Sequence, residues 1–332
     1  MNEATAIAHP NVALSKYWGK RAGGGNFPAV PSLSVTLTGL STRTRVVFDQ
    51  ALEHDRVTLD GKPADARTSA RVVELLDRVR KAASDSRRAE VTSRNDFPTA
   101  SGLASSASGF AALALAASSA AGLDWDRARV SDLARRASAS AARSLFGGFV
   151  ELAAGAVEGS EESFLAALPV APPEHLPLVL LVCITADGPK LVGSTEGMRI
   201  TMAHSPYAAE WTREAPRLHE RLRSALLARD FATVGALAEA SALAMHASAI
   251  AAGVTYWVGA TLDALAAVRA LRASGTSAFA TIDAGPHVKV LVQPGDVSRA
   301  RAEMERVVGI KRIIEARPGE AAHCETQAES AR

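Results

Sequence analysis

A chain of 332 residues, 48% apolar and 22% charged, has enough material for a large core and the balance of an ordinary globular protein. Its 37 Lys and Arg against 35 Asp and Glu leave a net charge of +2, too even to suggest nucleic acid or an anionic membrane as partner. Of the two cysteines, Cys183 lies in an apolar run and Cys324 in a polar tail, so no disulfide is expected. With no secretory apolar region at the start and no apolar run of membrane-spanning length, the expected compartment is the cytoplasm.

In chain order, the first third reads as β-rich. Thr42 to Phe48 alternates and carries β-branched residues, Arg56 to Leu59 follows, and Asp60-Gly61 marks a turn. Val72, Val73, Leu75, Leu76 and Val79 fall at helical spacing and predict a helix over 66–83. A short strand over 90–93 leads into a Gly-, Ser-, Thr- and Pro-rich segment, 95–107, then a small-residue helix over 108–121 and another over 130–142. A strand should begin at Phe149. Pro169 to Pro177 holds four prolines and reads as a connection between domains. Beyond it, Leu178 to Ile184 is a continuous apolar run typical of a buried strand. Helices are expected over 207–229 and 231–249 and again around Leu262, Leu265, Val268 and Leu271; strands over 278–282 and 288–292 flank the turn Asp283-Ala284-Gly285-Pro286-His287. The residues from about Arg317 are polar and aperiodic and read as a disordered tail. Strands dominate the first half and helices the second, which predicts an α+β fold.

The chemistry concentrates in a few segments. Pro98-Thr99-Ala100-Ser101-Gly102-Leu103-Ala104-Ser105-Ser106-Ala107 joins a strand to a buried helix. A loop of small residues there exposes backbone N–H groups at the positive end of a helix dipole and suits a phosphate chain, with the Ser hydroxyls adding hydrogen bonds or a metal contact. A capped helix start fits the residues equally well, and no Gly-Lys-Ser/Thr follows as a P-loop requires. Lys16 and Lys20, four apart, would by themselves be solvated; Arg143 alone would be a surface or ion-pair residue; Asp283 alone would make an Asx-turn.

Taken together, four segments change that weighting: Ala13-Leu14-Ser15-Lys16-Tyr17-Trp18-Gly19-Lys20-Arg21, Asn95 to Gly109, Arg143-Ser144-Leu145-Phe146-Gly147-Gly148-Phe149, and Ile282-Asp283-Ala284-Gly285-Pro286. The loop pattern Pro-x-x-x-Gly-Leu-x-Ser-Ser-Ala resembles the phosphate loop of the GHMP small-molecule kinases. Within that superfamily the four segments, in this order, resemble the diphosphomevalonate decarboxylase family. The resemblance implies a two-lobed GHMP-kinase-like fold, with a ribosomal-protein-S5-like α/β lobe over 1–172 and a ferredoxin-like α+β lobe over 178–316, and a possible homodimer. It implies ATP and Mg²⁺, with Pro98, Gly102, Leu103, Ala104, Ser105 and Ser106 on the nucleotide and Ser106 on the metal.

The same resemblance implies that Lys16 reaches the substrate carboxylate or reacting centre and that Tyr17 and Lys20 line its phosphate pocket. It implies that Arg143 clamps the carboxylate that leaves, that Ser138 and Ser140 contact the substrate's phosphate or carboxylate, and that Ser194 touches the phosphate end. Asp283 becomes the catalytic aspartate facing a tertiary hydroxyl, kept ionised by Lys16 and Arg143. The implied reaction phosphorylates the 3-hydroxyl of mevalonate 5-diphosphate, then releases phosphate and CO₂ to give isopentenyl diphosphate in isoprenoid synthesis. Alternatives are a decarboxylase of mevalonate 5-phosphate, a mevalonate-type kinase without decarboxylation, and a ligand sensor that has lost chemistry. The chain departs from the family at Val30-Pro31, where Asn is usual, at Asp96, where Asn is common, and at Gly193, where Ser is usual.

Overall fold

The structure, a computed structural model, describes residues 2–97, 105–156, 162–188 and 190–325. Strands β1 (Glu3–Ala8), β2 (Asn11–Ser15), β3 (Ser32–Thr38), β4 (Thr42–Asp49), β5 (Arg56–Leu59) and β6 (Lys62–Pro63) come first, then helix α1 (Ala66–Ala83) and β7 (Arg88–Asn95). Next are α2 (Ser105–Ala120), α3 (Arg127–Ala137), a 3₁₀ turn over Ala139–Leu145, β8 (Phe149–Leu152) and β9 (Leu168–Ala171). The second half holds β10 (Val179–Ile184), α4 (Ser194–His204), α5 (Ala208–Leu227), α6 (Phe231–Ala251), α7 (Gly259–Ala273), β11 (Ala278–Ile282), β12 (Val288–Val292), α8 (Val297–Glu305), β13 (Arg312–Pro318) and β14 (His323–Cys324).

The architecture is two-lobed α+β, as expected. One lobe is a six-stranded sheet in the order β14-β1-β4-β7-β5-β6, antiparallel except for β5 beside β7. In β4, Thr42, Thr44, Val46 and Phe48 are buried while Arg43 and Asp49 are exposed, so one face packs and the other meets water. The packed face carries α1, α2 and α3 through Leu75, Leu76, Phe110, Leu113 and Leu133. Asp65 caps α1 by accepting the Thr68 N–H at 2.9 Å, and the expected apolar stripe of Val72, Leu75, Leu76 and Val79 is the one buried.

The second sheet is antiparallel and eight-stranded, running β11-β12-β10-β13-β3-β8-β9 with β2 also on β3. Its centre is covered on both sides. Leu180, Val182, Phe279 and Leu291 meet Leu218, Leu222, Val234 and Leu237 of α5 and α6. On the opposite face, Val179, Leu181, Ala280 and Val290 meet Leu265, Val268, Leu271 and Met304 of α7 and α8. Trimming Leu222 or Leu237 to Ala in such a core costs about 2–5 kcal/mol. Helix α6 is long and apolar enough to pass as a membrane span, but its buried residues line this core. It approaches β11 so closely that a Cβ on Gly235 would lie 2.1 Å from the Phe279 ring.

Two expectations are corrected. The helix expected over 130–142 ends at Ala137; Ser138 is extended (φ −156°, ψ 117°), and a 3₁₀ turn carries the chain on to Leu145. Of the residues from 317 onward, expected to be without structure, 317–318 finish β13 and 323–324 form β14, which pairs with β1, while 326–332 lie outside the described residues. Cys183 and Cys324 are both free thiols.

Candidate active site

Three pieces of backbone converge where β2 ends, where β11 turns into β12, and where the 3₁₀ turn follows α3. The pairing of β2 with β3 shifts register between Ala13 and Ser15, an irregularity that re-aims the residues after it. Ser15 Oγ accepts the Leu33 N–H at 2.7 Å, and the Lys16 N–H donates to Ser241 Oγ of α6 at 3.0 Å. Lys16 is thereby held inside, 2% exposed, with Nζ donating to Ala13 O at 2.8 Å and to Asp283 Oδ1 at 2.7 Å.

Asp283 occupies the tight turn expected between two apolar strands, its carbonyl accepting the Gly285 N–H at 2.7 Å. Its side chain is about a quarter exposed and meets two ammonium groups, Lys16 on Oδ1 at 2.7 Å and Lys289 on Oδ2 at 3.0 Å. Burial opposes ionisation, but the two lysines outweigh it and hold the carboxyl far below the usual carboxylate range. Burial also pushes Lys16 down; Asp283 counteracts this and Lys289 and Arg143 add repulsion, leaving it at about 8.

The break at Ser138 turns Arg143 inward, where it is 2% exposed. Its guanidinium donates from Nε to Ser34 Oγ (3.0 Å), from Nη1 to Ser32 Oγ (2.8 Å) and from Nη2 to Asn11 Oδ1 (3.3 Å). All three acceptors are neutral, and among the described residues no carboxylate lies within ion-pair distance of it. Burial lowers its pKa to about 10, against the opposing pull of Tyr17 and Asp283. Ser138 and Ser140 lie within 3.3 Å of each other beside it, and the Ser140 carbonyl accepts from Asn11 Nδ2 at 3.0 Å.

The other expected residues surround this centre less uniformly. The Tyr17 hydroxyl is buried without a hydrogen-bond partner, and burial raises its pKa. Lys20 donates to Asn26 Oδ1 at 2.6 Å and to Thr195 Oγ1 at 3.0 Å, and burial lowers it to about 8. Ser194 opens α4, accepting from Lys190 Nζ at 2.8 Å. Ser106 is exposed in the first turn of α2. Pro98, Gly102, Leu103 and Ala104 lie outside the described residues, and Ser105 is described only as the backbone that starts α2.

Five residues were missed. Ser32 and Ser34 alternate with apolar Leu33 and Val35 on a strand buried on both faces, and that pattern signals a polar interior. Lys289 interrupts an otherwise apolar strand, Val288-Lys289-Val290-Leu291-Val292, which signals a buried charge in need of a partner. Asn11 gave no such signal. Lys190 donates to Ala284 O at 2.9 Å within the Asp283 turn, on the rim of a cavity of about 240 Å³ that reaches Tyr256, Trp257 and His287. His246 is fully buried against Trp257 and Tyr256, beside the backbone of Ile282 and Asp283. The departures from the family pattern are accommodated: Val30 is fully buried with Trp18, Trp211 and Met245, and Asp96 accepts from the backbone and hydroxyl of Ser41, both at 2.7 Å.

This geometry coincides with what the chain is similar to. Residues 8–165 match the model of the diphosphomevalonate decarboxylase-like N-terminal domain, and residues 180–331 that of the mevalonate 5-diphosphate decarboxylase C-terminal domain. The diphosphomevalonate decarboxylase of Aspergillus fumigatus is 34% identical over 92% of this chain and 80% of its own. The chain belongs to the diphosphomevalonate decarboxylase family. A Candida albicans relative of that name is 33% identical, over 87% of this chain and 84% of its own. Among solved structures, mevalonate diphosphate decarboxylase from Staphylococcus aureus superposes with a TM-score of 0.92 at 32% identity, covering 98% of each chain. Another, described as MDDEF in complex with MVAPP, AMPPCP and magnesium, gives 0.90 at 36% identity over 98% of this chain and 99% of its own. Family members thus share the whole two-lobed architecture with this chain.

Proposed function

We propose that this protein decarboxylates mevalonate 5-diphosphate in an ATP-dependent reaction, yielding isopentenyl diphosphate, ADP, phosphate and CO₂ in isoprenoid synthesis. The observation that carries this reading is the charge at the site: Lys16, Lys289 and Arg143 are buried around one carboxylate, and Arg143 has only neutral partners. Such a surplus calls for an anionic substrate, and a planar guanidinium fork suits a carboxylate.

In the sequence of events, the substrate's tertiary hydroxyl lies against Asp283, which orients it as a hydrogen-bond acceptor. The oxygen attacks the γ-phosphorus of ATP, the bond to ADP breaks, and the hydroxyl proton passes to Asp283 or through it to water. The substrate's original C–O bond, whose oxygen now carries the phosphoryl group, then breaks and phosphate leaves with the bonding electrons. As cationic character grows on the tertiary carbon, the bond to the carboxylate breaks. Its electrons form the double bond and CO₂ departs. Arg143, held by Ser32, Ser34 and Asn11, fixes that carboxylate, while Tyr17, Lys20, Ser138, Ser140 and Ser194 surround the diphosphate end. The protein's part is chiefly positioning and electrostatics.

The start of α2 and the Ser106 hydroxyl provide the described part of the nucleotide site, with Pro98, Gly102, Leu103, Ala104 and Ser105 completing it. Among the described residues no three His, Cys, Asp or Glu side chains cluster to hold a metal. That fits Mg²⁺, which takes one or two protein oxygens, phosphate oxygens and waters, with Ser106 as the protein oxygen. Bound there, Mg²⁺ would neutralise phosphate charge. The same reading places the protein in the cytoplasm as a homodimer, and divides it at the proline-rich connection into segments 1–172 and 178–316.

The test is to incubate the protein with ATP, Mg²⁺ and, separately, mevalonate, its 5-phosphate and its 5-diphosphate, measuring ADP and CO₂ together. Equal ADP and CO₂ from the diphosphate supports the proposal. A preference for the monophosphate replaces the substrate, ADP without CO₂ means a kinase, and neither product from any of the three rejects the assignment.

A further inference from the structure

A lysine in the middle of a strand covered on both faces is costly unless its ammonium is paired. Lys289 is 1% exposed. Alternation along β12 turns Val288, Val290 and Val292 toward α7 and α8, and puts Lys289 with Leu291 on the side of α6. There it lies opposite Thr281 of β11 and reaches Asp283 Oδ2 at 3.0 Å, the oxygen that Lys16 leaves free. The strand has no structural need of it, since an apolar side chain in place of a buried ion pair is commonly neutral or stabilising.

The two lysines are not equivalent. Lys16 follows β2 and has a second acceptor in Ala13 O, so its three N–H donors can serve the aspartate and an incoming anion. Lys289 is fixed in a regular strand, and its one ion-pair partner among the described residues is Asp283. We propose that Lys289 is a positioning residue: it clamps Oδ2 of Asp283, fixes the plane of the carboxylate, and keeps it ionised when Lys16 is drawn toward the substrate. This rests on the decarboxylase reading and assigns a role to a side chain whose one ion-pair partner among the described residues is the catalytic aspartate.

The charges around Asp283 come from every wall of the site: Lys16 from the end of β2, Lys289 from β12, Lys190 from the segment after β10, Arg143 from the 3₁₀ turn, and neutral His246 from α6. Lys289 attracts Asp283 and repels Lys16, so it lowers the pKa of both. Removing its charge moves both upward. In the free enzyme Lys16 and Lys20 both titrate at about 8, but only Lys16 feels Lys289, and kcat/KM reports the free enzyme.

The experiment compares Lys289→Met, Lys289→Gln and Lys289→Arg with the parent protein in kcat, KM and the pH profile of kcat/KM for mevalonate 5-diphosphate. Lys289→Met should lower kcat by about 10- to 100-fold with a smaller change in KM, a loss typical of misplaced catalytic groups. The alkaline limb should move up by roughly half a unit or more, as expected for loss of one nearby cation. Lys289→Gln should behave alike, and Lys289→Arg should restore the limb and much of kcat. Undiminished kcat, or a loss with the limb unmoved in both neutral variants, overturns the proposal. Side-chain ¹⁵N-lysine NMR of the Lys16 ammonium, with no substrate present, gives a second readout. If the parent protein turns over none of the three mevalonates, the decarboxylase reading fails by itself. An unshifted Lys16 titration in the neutral variants rejects the role of Lys289 in either case.

Discussion

Buried cations occur in both lobes, and their partners differ. In the six-stranded lobe, Arg80 is enclosed by Asp55, two bonds of 2.9 Å, and by Asp77 at 2.6 Å. Arg135, fully buried, donates to Asp132 at 2.7 Å and to the carbonyls of Gly25, Leu165 and Ser163. Each of these charges is matched within the fold. Around Asp283, by contrast, two buried lysines share one carboxylate, and the buried Arg143 rests on two serines and an asparagine. A matched pair holds a fold together when intact and damages it when halved. An unmatched cation weakens the empty protein and becomes balanced when an anion binds. On the proposed function, the contrast separates residues that serve the structure from residues that serve the substrate.

The contrast can be broken most severely at the aspartate itself. Asp283→Asn keeps the shape but removes the charge that, in the proposed mechanism, orients the hydroxyl, and turnover should fall by about 10²- to 10⁴-fold in a steady-state assay. Arg143→Met should abolish most activity while leaving Tm unchanged or raised, because a charge without an ionic partner has been removed from the interior. Differential scanning calorimetry beside the assay checks both halves; a large fall in Tm would place Arg143 with Arg80 and Arg135. The converse is Asp55→Ala, which removes the buried partner of Arg80 and leaves it the more exposed Asp77; it should cost about 1.5–3 kcal/mol in denaturant unfolding while turnover per folded molecule is kept. Gly235→Ala pushes a methyl into the Phe279 ring and should cost about 1–3 kcal/mol. Smallest of all, Asp96→Asn keeps one hydrogen bond to Ser41 and removes a negative charge just before the phosphate loop. It should change stability by less than about 1 kcal/mol, and KM for ATP should fall slightly at low ionic strength.

Much of this contrast was legible beforehand. The turn Asp283-Ala284-Gly285-Pro286 between apolar strands, the Lys16 segment and the Arg143 segment were all identifiable, and the structure brings Lys16 onto Asp283. Lys289 was equally visible in Val288-Lys289-Val290, but a single polar residue in an apolar run is easily absorbed into the strand. Which oxygen it meets depends on the register of β12 with β11, set at long range. The break at Ser138 was hidden for a different reason. Helical spacing continues through Ala139, Ala141 and Ala142, and alanine packs in a 3₁₀ turn as readily as in an α-helix, so tertiary packing decided the change. The tail failed as polar and aperiodic, although residues 323–324 need only an open edge on β1 to become a strand. Asn11, which completes the cradle of Arg143, is 132 residues away from it, and no local pattern marks it.

The central claim is that the surplus charge at the site exists to receive the substrate's anionic groups. Calorimetric titration of mevalonate 5-diphosphate, without ATP, into the parent protein and into Arg143→Met tests it directly. The account predicts that the variant, folded and at least as stable, binds about 30-fold or more weakly, the loss expected when one partner of a buried charge pair is missing. Equal affinity in the two proteins would contradict it.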